Sequence, residues 1–410
     1  MTTMLIISRY CAYDSAPYAG SKTHNYYLKH LIKAFRVKVL TIAHPEDLPK
    51  LDFDAYAIDA DVVVVNEDPG RAWFFLLFNW RNILNYFGKT MGLVNGYAAH
   101  CLIKRARSLG SQGYSPDIIL LEWTQTVLMI KDLKKIFPSA LYIASEHDVS
   151  FLRFKRQYGA ASGLSKIKEN LRYKSLKKAE ISSLQEADLI VPHNEKDKDL
   201  LIINGIAPDR VHAIAPYYTD YGDVTYSPEG SAVLFFGAMD REENYSSIGW
   251  FIDRVFLPFL PDRYTLTIVG ARPHPSLNKY KSKRITVTGF VPDIRPYLAK
   301  SFCMVAPLLS GAGIKVKVIE VMSAGLPVLA SGIAIEGIPA ENGVHYLHCE
   351  KPEDYLDVFE RVRQDRINLQ AISDNAKKLI NRCYDLEKSF ASYKEAILRV
   401  IASANHECRR

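Results

Sequence analysis

Apolar residues along this chain fall into short, nearly unbroken runs separated by stretches with helical spacing. In the first half the runs are Met4–Ser8, Val37–Ala43, Asp61–Val65, Pro116–Trp123, Leu141–Ser145, Asp188–Pro192 and Arg210–Ala215. Each is aliphatic or β-branched and reads as a strand. Between them, His24–Ala34 and Thr126–Ile136 repeat apolar residues three and four apart, the period of a helix with one buried face. Runs that are apolar on both faces, alternating with helices, predict a parallel sheet covered on either side. Tyr217–Ser231 breaks the rhythm with Tyr, Asp, Gly, Pro and Ser and reads as a linker. The alternation then restarts. Ala232–Phe236, Tyr264–Val269, Arg284–Val287 and Phe302–Ala306 read as strands, with helices over Ser246–Leu260 and Asp293–Ala299. The expectation is an α/β chain of two doubly wound, Rossmann-like domains, 1–220 and 221–385, followed by a terminal helix within 386–410. In such sheets ligands sit at the carboxyl ends of the strands, where strand order reverses. The spacing of Leu386–Ala404 fits a helix that caps the second domain as well as one that returns to the first.

Composition narrows the possibilities. At 410 residues the chain exceeds the size at which single cores divide. A hydrophobic fraction of 48% with 24% charged residues is that of a soluble globular protein. The net charge of +7 favours anionic substrates or an anionic membrane face. No helix-turn-helix or RNA-binding signature accompanies it, which argues against nucleic acid. The six cysteines (11, 101, 303, 349, 383 and 408) form no C-x-x-C pair and suit a reduced, cytoplasmic compartment. The opening MTTMLIISRY reads as a strand, not a signal peptide. No apolar run is long enough to span a bilayer; Ala72–Phe78 comes nearest and is broken by Asn79 and Arg81. Two stretches mix basic with aromatic or aliphatic residues, Arg71–Arg107 and Arg153–Lys178. They suit either docking on an anionic leaflet or a solvated helix edge.

The densest chemistry lies in 311–332, GAGIKVKVIEVMSAGLPVLASG. Gly311 and Gly313, around Ala312, let a backbone approach a ligand closely. Ile314 and Lys315 then lead into a helix whose first N–H groups have no internal partner, which makes an anion site. Lys315 and Lys317 supply cations beside it, and Lys315 is the favoured one because it is nearer the helix start. Glu320 follows about two turns in. Gly325 and Pro327 end the helix, and Leu326–Ala330 is a strand.

This segment resembles the donor site of GT-B glycosyltransferases of the group 1 type (family 4), whose pattern is Glu, seven residues, Glu, then Ala-x-Gly-x-Pro-Val. Glu320 matches the second glutamate, and Ala312 stands where the first would fall. The resemblance implies the GT-B architecture: two Rossmann-like domains with a cleft between them and a C-terminal crossover helix. It implies that Glu320 holds the ribose of a nucleotide sugar and that amides from Gly311 to Lys315 position the donor. Gly237, at the end of a strand, and Arg241 fall where the family reads the donor phosphates; Arg241 fits equally a surface pair with Glu242 or Glu243. Gly289, Phe290 and Val291 resemble the loop that receives the base, although a lone aromatic such as Phe290 is as often core. Gly20 matches the glycine loop of the first domain, or is simply a turn. Glu146, His147 and Asp148 follow a strand directly. His147 resembles the family histidine that contacts the transferred sugar, with Glu146 or Asp148 to orient it or to serve as general base. Glu122, ending the preceding strand, is a further acidic candidate.

The implied activity is that of a retaining, metal-independent glycosyltransferase. A nucleotide-sugar donor, a UDP-sugar ahead of a GDP-sugar, would serve a saccharide or lipid-linked acceptor in cell-surface glycan synthesis. No cofactor is implied. Asp59-Ala60-Asp61 enters a strand and reads as structural, not as a metal motif. The location implied is cytoplasmic, at the inner membrane face if the acceptor is lipid-linked. The alternatives are a non-catalytic two-lobed binding module and, on the same fold, a phosphorylase or nucleotide-sugar epimerase. A binder would not release nucleotide when acceptor is supplied.

Overall fold

The computed structural model describes residues 1–65, 93 and 95–407. It divides into two compact units, Met1–Ala215 with Leu386–Arg410, and Pro216–Asp385. The division falls at Ala215/Pro216, ahead of the expected boundary at 220.

The first unit is built on a parallel sheet of six strands: β1 (Thr3–Ser8), β2 (Arg36–Ala43), β3 (Asp59–Val64), β4 (Ile118–Glu122), β5 (Leu141–Glu146) and β6 (Leu189–Pro192). Their order is β3-β2-β1-β4-β5-β6, so strand order reverses between β1 and β4. The central strands are apolar throughout because both faces are covered. Leu5, Ile7, Ile119 and Leu121 join one buried cluster, and Met4, Ile6, Ile118 and Leu120 join another on the opposite face. The second cluster is completed by Tyr393, Ala396 and Ile397 of the terminal helix Leu386–Glu407. That helix is also tied by polar contacts: the Ser389 hydroxyl accepts from the Ala215 amide at 2.9 Å and meets the Tyr27 hydroxyl at 2.7 Å. Asp59 and Asp61 are paired with Lys38 and Arg105, a structural role as read.

The second unit repeats the plan with β7 (Ala232–Phe236), β8 (Thr265–Val269), β9 (Ile285–Gly289), β10 (Cys303–Ala306), β11 (Val328–Ala330) and β12 (Leu347–His348). The order is β12-β11-β10-β7-β8-β9, all parallel, with the reversal between β7 and β10.

Two elements depart from expectation. Arg210–Ala215 is not a sheet strand. Its His212 and Ile214 amides bond to β6 carbonyls, but only one bridge, Ile190 to Val211, is made before the chain leaves. The expected helix over Thr126–Ile136 is two short ones, Thr124–Val127 and Ile130–Lys134. The aromatic part of Arg71–Arg107, with Trp73, Phe74, Phe75, Phe78, Trp80, Tyr86 and Phe87, lies outside the described residues. Among the described residues no helix is long and apolar enough to cross a membrane.

Candidate functional site

The candidate side chains gather at the carboxyl ends of the strands in each sheet.

In the second unit, β7 runs into Gly237, β10 runs into the glycine loop, and the loop runs into the helix Val316–Ser323. Gly311 and Gly313 both have positive φ, at 130° and 66°. Gly270, just past β8, packs so closely that a Cβ there would lie 1.7 Å from the Gly237 carbonyl oxygen. Only glycine fits, and the two strand ends are thereby held against each other. Lys315 is the residue before the helix and no side chain caps the first turn. Its ammonium folds back onto its own loop, donating to the carbonyls of Gly313 at 2.6 Å and Ala312 at 3.1 Å. Lys317 is the lysine that reaches the β7 tip. It donates to Asn244 Oδ1 at 2.6 Å, lies 4.7 Å from the centre of the Phe235 ring and borders Gly237. Lys315, favoured from distance along the chain, lies instead against its own loop. Burial, then the nearby Lys315 charge, lowers the Lys317 pKa to about 7. A half-buried lysine held near neutrality gains most from an anionic ligand.

Glu320 is the fifth residue of that helix, little more than one turn in. It is buried, not solvent-facing, and accepts from the Thr219 amide at 3.1 Å. Arg241 is half-exposed and pairs with Glu243 at 2.6 Å, the surface pairing that its sequence context allowed. Gly289 ends β9 in a left-handed conformation, with φ at 76° and open space beside it. Phe290 is 75% exposed and so is not a core residue.

In the first unit, His147 sits beyond β5 and is stacked on Trp123, with centroids 4.3 Å apart and planes 13° off parallel. Its Nε2 meets Glu122 Oε2 at 2.8 Å, and His24 Nδ1 lies 3.3 Å from Glu122 Oε1. Burial would raise the Glu122 pKa, but the two histidines outweigh it and hold the carboxyl below its ordinary range. Orientation of His147 therefore falls to Glu122. Glu146 points the other way, as strand alternation requires of residues flanking a strand end. It is buried, accepts from the Thr124 hydroxyl at 2.5 Å, and is pushed well above its ordinary pKa by burial and then by Glu180. Glu180 itself is raised by burial to about 8, although the Ser150 and Phe151 amides donate to it. Asp148 is partly buried and has no contact of this kind with His147. Gly20 lies in the first turn of the helix Ala19–Ala34; a Cβ there would come within 3.2 Å of Trp123 Nε1 and 3.4 Å of His147 Nδ1. Trp123 adopts φ of 69°, a strained conformation for a bulky residue and one that clusters at functional sites. His193, past β6, completes the group 4.2 Å from His147 between centroids; burial and then the His147 charge hold its pKa well below the ordinary value.

Sequence reading missed His24, Trp123, His193, Asn244 and Thr219. His24 was within reach, since it lies one helical turn after Gly20, and so was His193, which follows a strand as His147 does. The contacts of Asn244 and Thr219 are made across the fold and leave no local signal.

Residues 230–365 match the family described as Glycosyl transferases group 1. The matched segment lies within the second unit. Over the whole chain the similarity is structural. A sucrose-phosphate synthase from Thermosynechococcus elongatus superposes with a TM-score of 0.69 at 14% identity, covering 98% of this chain and 100% of that one. HepE of Anabaena, in complex with UDP-glucose, gives 0.64 at 13% identity, covering 97% and 100%. The lipopolysaccharide outer core galactosyltransferase WaaB gives 0.62 at 13%, covering 97% and 99%. At such identities the likeness carries the fold, which is GT-B. Comparison with curated proteins returns no match.

Proposed function

We propose that this chain is a retaining, metal-independent glycosyltransferase that takes a nucleotide sugar, a UDP-sugar first, and glycosylates a saccharide or lipid-linked saccharide in cell-surface glycan synthesis. The observation that carries the reading is the convergence, at the β7/β10 reversal of the second unit, of the Gly311–Lys315 loop, the Lys317 ammonium and the buried Glu320 carboxylate. UDP bound to the structurally similar HepE supports the choice of base. The loop amides and Lys317 meet charge as it develops on the departing diphosphate, which is the main way such a site lowers a barrier. Glu320 grips the ribose hydroxyls. In a front-face displacement the leaving phosphate oxygen takes the acceptor proton, and His147, in the first unit, hydrogen-bonds the transferred sugar.

Calorimetric titration with UDP, GDP, ADP and their glucose conjugates tests the donor assignment. Binding of UDP and UDP-sugars is expected, and Glu320→Ala should weaken it by about 1.5–3 kcal/mol, the worth of charged hydrogen bonds. Unchanged affinity in the variant overturns the role given to Glu320.

A further inference from the structure

The helix Gly163–Leu184 has one well-buried side and one bare side. Leu176, Glu180 and Leu184 face inward, and Glu180 accepts the amides of Ser150 and Phe151 from the neighbouring helix Ser150–Ala160. On the outward side Leu164 is 86% exposed, Ile167 61% and Leu171 58%. These three are spaced three and four apart, so they form one stripe. The same stripe continues at the same spacing into Lys174 and Lys178, both exposed, while exposed Lys166 and Lys168 flank its apolar end. The helix has two acidic residues. Glu180 is buried, and Glu169 is paired with Arg172 at 3.1 Å. Neither lies on the stripe.

We propose that this edge docks on an anionic lipid leaflet, with Leu164, Ile167 and Leu171 entering the interface and the lysines meeting lipid headgroups. Three large aliphatic side chains in water at one place cost free energy that burial in a bilayer surface recovers. The lysine ring around them selects a negatively charged partner and disfavours a second copy, whose identical stripe would bring like charges together. The surface is the convex edge of a single helix, which suits a pliable leaflet. The helix is already held in place from beneath, so docking requires no folding step. It lies on the membrane rather than crossing it, with the apolar face at the headgroup boundary. The inference concerns the first unit only and does not depend on the donor reading.

Cosedimentation of the full chain with vesicles tests it. Phosphatidylcholine vesicles containing about 30% phosphatidylglycerol should pellet the protein at low salt, and pure phosphatidylcholine vesicles should not. The triple variant Leu164→Ser, Ile167→Ser, Leu171→Ser should lose roughly tenfold or more of that binding. Lys166→Glu with Lys174→Glu should lose it as well, while both variants keep the wild-type melting temperature and nucleotide affinity. Wild-type binding that survives the triple serine change overturns the proposal, as does absence of binding to the anionic vesicles. A concentration-dependent dimer in sedimentation velocity, abolished by the serine variant, would assign the stripe to a second copy and overturn it too.

Discussion

Lys317 offers the sharpest test of the donor site. In the free protein its pKa is lowered to about 7, by burial first and by the Lys315 charge second. A diphosphate placed against the β7 tip and the glycine loop stabilises the ammonium and returns it toward the ordinary lysine value. Donor binding must then take up a proton wherever free Lys317 is neutral. The sign follows by linkage: the ligand selects the protonated form, so affinity is greatest at and below neutrality and declines as pH rises through the free-state value. From pH 7 to pH 9 the neutral fraction of the free protein grows from half to nearly all, and affinity should fall about 50-fold, roughly 2.3 kcal/mol. At pH 8 close to one proton, ~0.9, is absorbed per donor bound. Calorimetry of UDP-glucose in buffers of different ionisation enthalpy measures that uptake directly, and the Kd profile measures the slope. Lys317→Met should abolish both and bind at a level that varies little over the same range. A flat wild-type profile without proton uptake, or a slope that persists in Lys317→Met, refutes the assignment of Lys317 to the diphosphate.

Three further outcomes follow from the geometry. Gly270→Ala puts a methyl group 1.7 Å from the Gly237 carbonyl oxygen, so both strand ends must shift; a loss of about 2 kcal/mol or more in urea unfolding is expected, and an unchanged midpoint would contradict the close packing. Glu122→Ala leaves His24 and His147 without their shared acceptor and should cost about 1–3 kcal/mol at neutral pH. Because the Glu122 pKa is depressed in the fold, its contribution is present above the ordinary carboxylate value and lost as pH falls below it, so wild type and variant should converge in acid melting curves; parallel curves would exclude the pairing. His147→Ala should reduce sugar transfer far more than UDP affinity, and equal losses in both would point to a folding defect instead.

The alternating plan was legible because fully buried parallel strands must be apolar along their whole length, as β4 and β10 are. Arg210–Ala215 misled because two backbone bonds to β6 require the same extended, apolar sequence as a true strand. The glycine loop and Glu320 could be placed from local pattern alone, since a loop, a helix start and a carboxylate one turn on are fixed by neighbours in sequence. The choice between Lys315 and Lys317 could not. It turns on Asn244 and Phe235, which come from another strand and helix. The same limit hid the partner of His147. Residues adjacent in sequence, Glu146 and Asp148, were the natural candidates, yet alternation turned Glu146 away and the parallel register of β4 beside β5 brought Glu122 across.

The membership of the terminal helix has a consequence for biogenesis. The second unit is one uninterrupted span, Pro216–Asp385, and has its whole sequence once that span has emerged from the ribosome. The unit translated first lacks Tyr393, Ala396 and Ile397, which cover one face of its sheet, until the helix Leu386–Glu407 follows. A truncated chain ending near 385 would therefore present an open apolar face on its amino-terminal half, the kind of surface that recruits chaperones or drives aggregation. The order of synthesis and the order of completion are opposite in this protein.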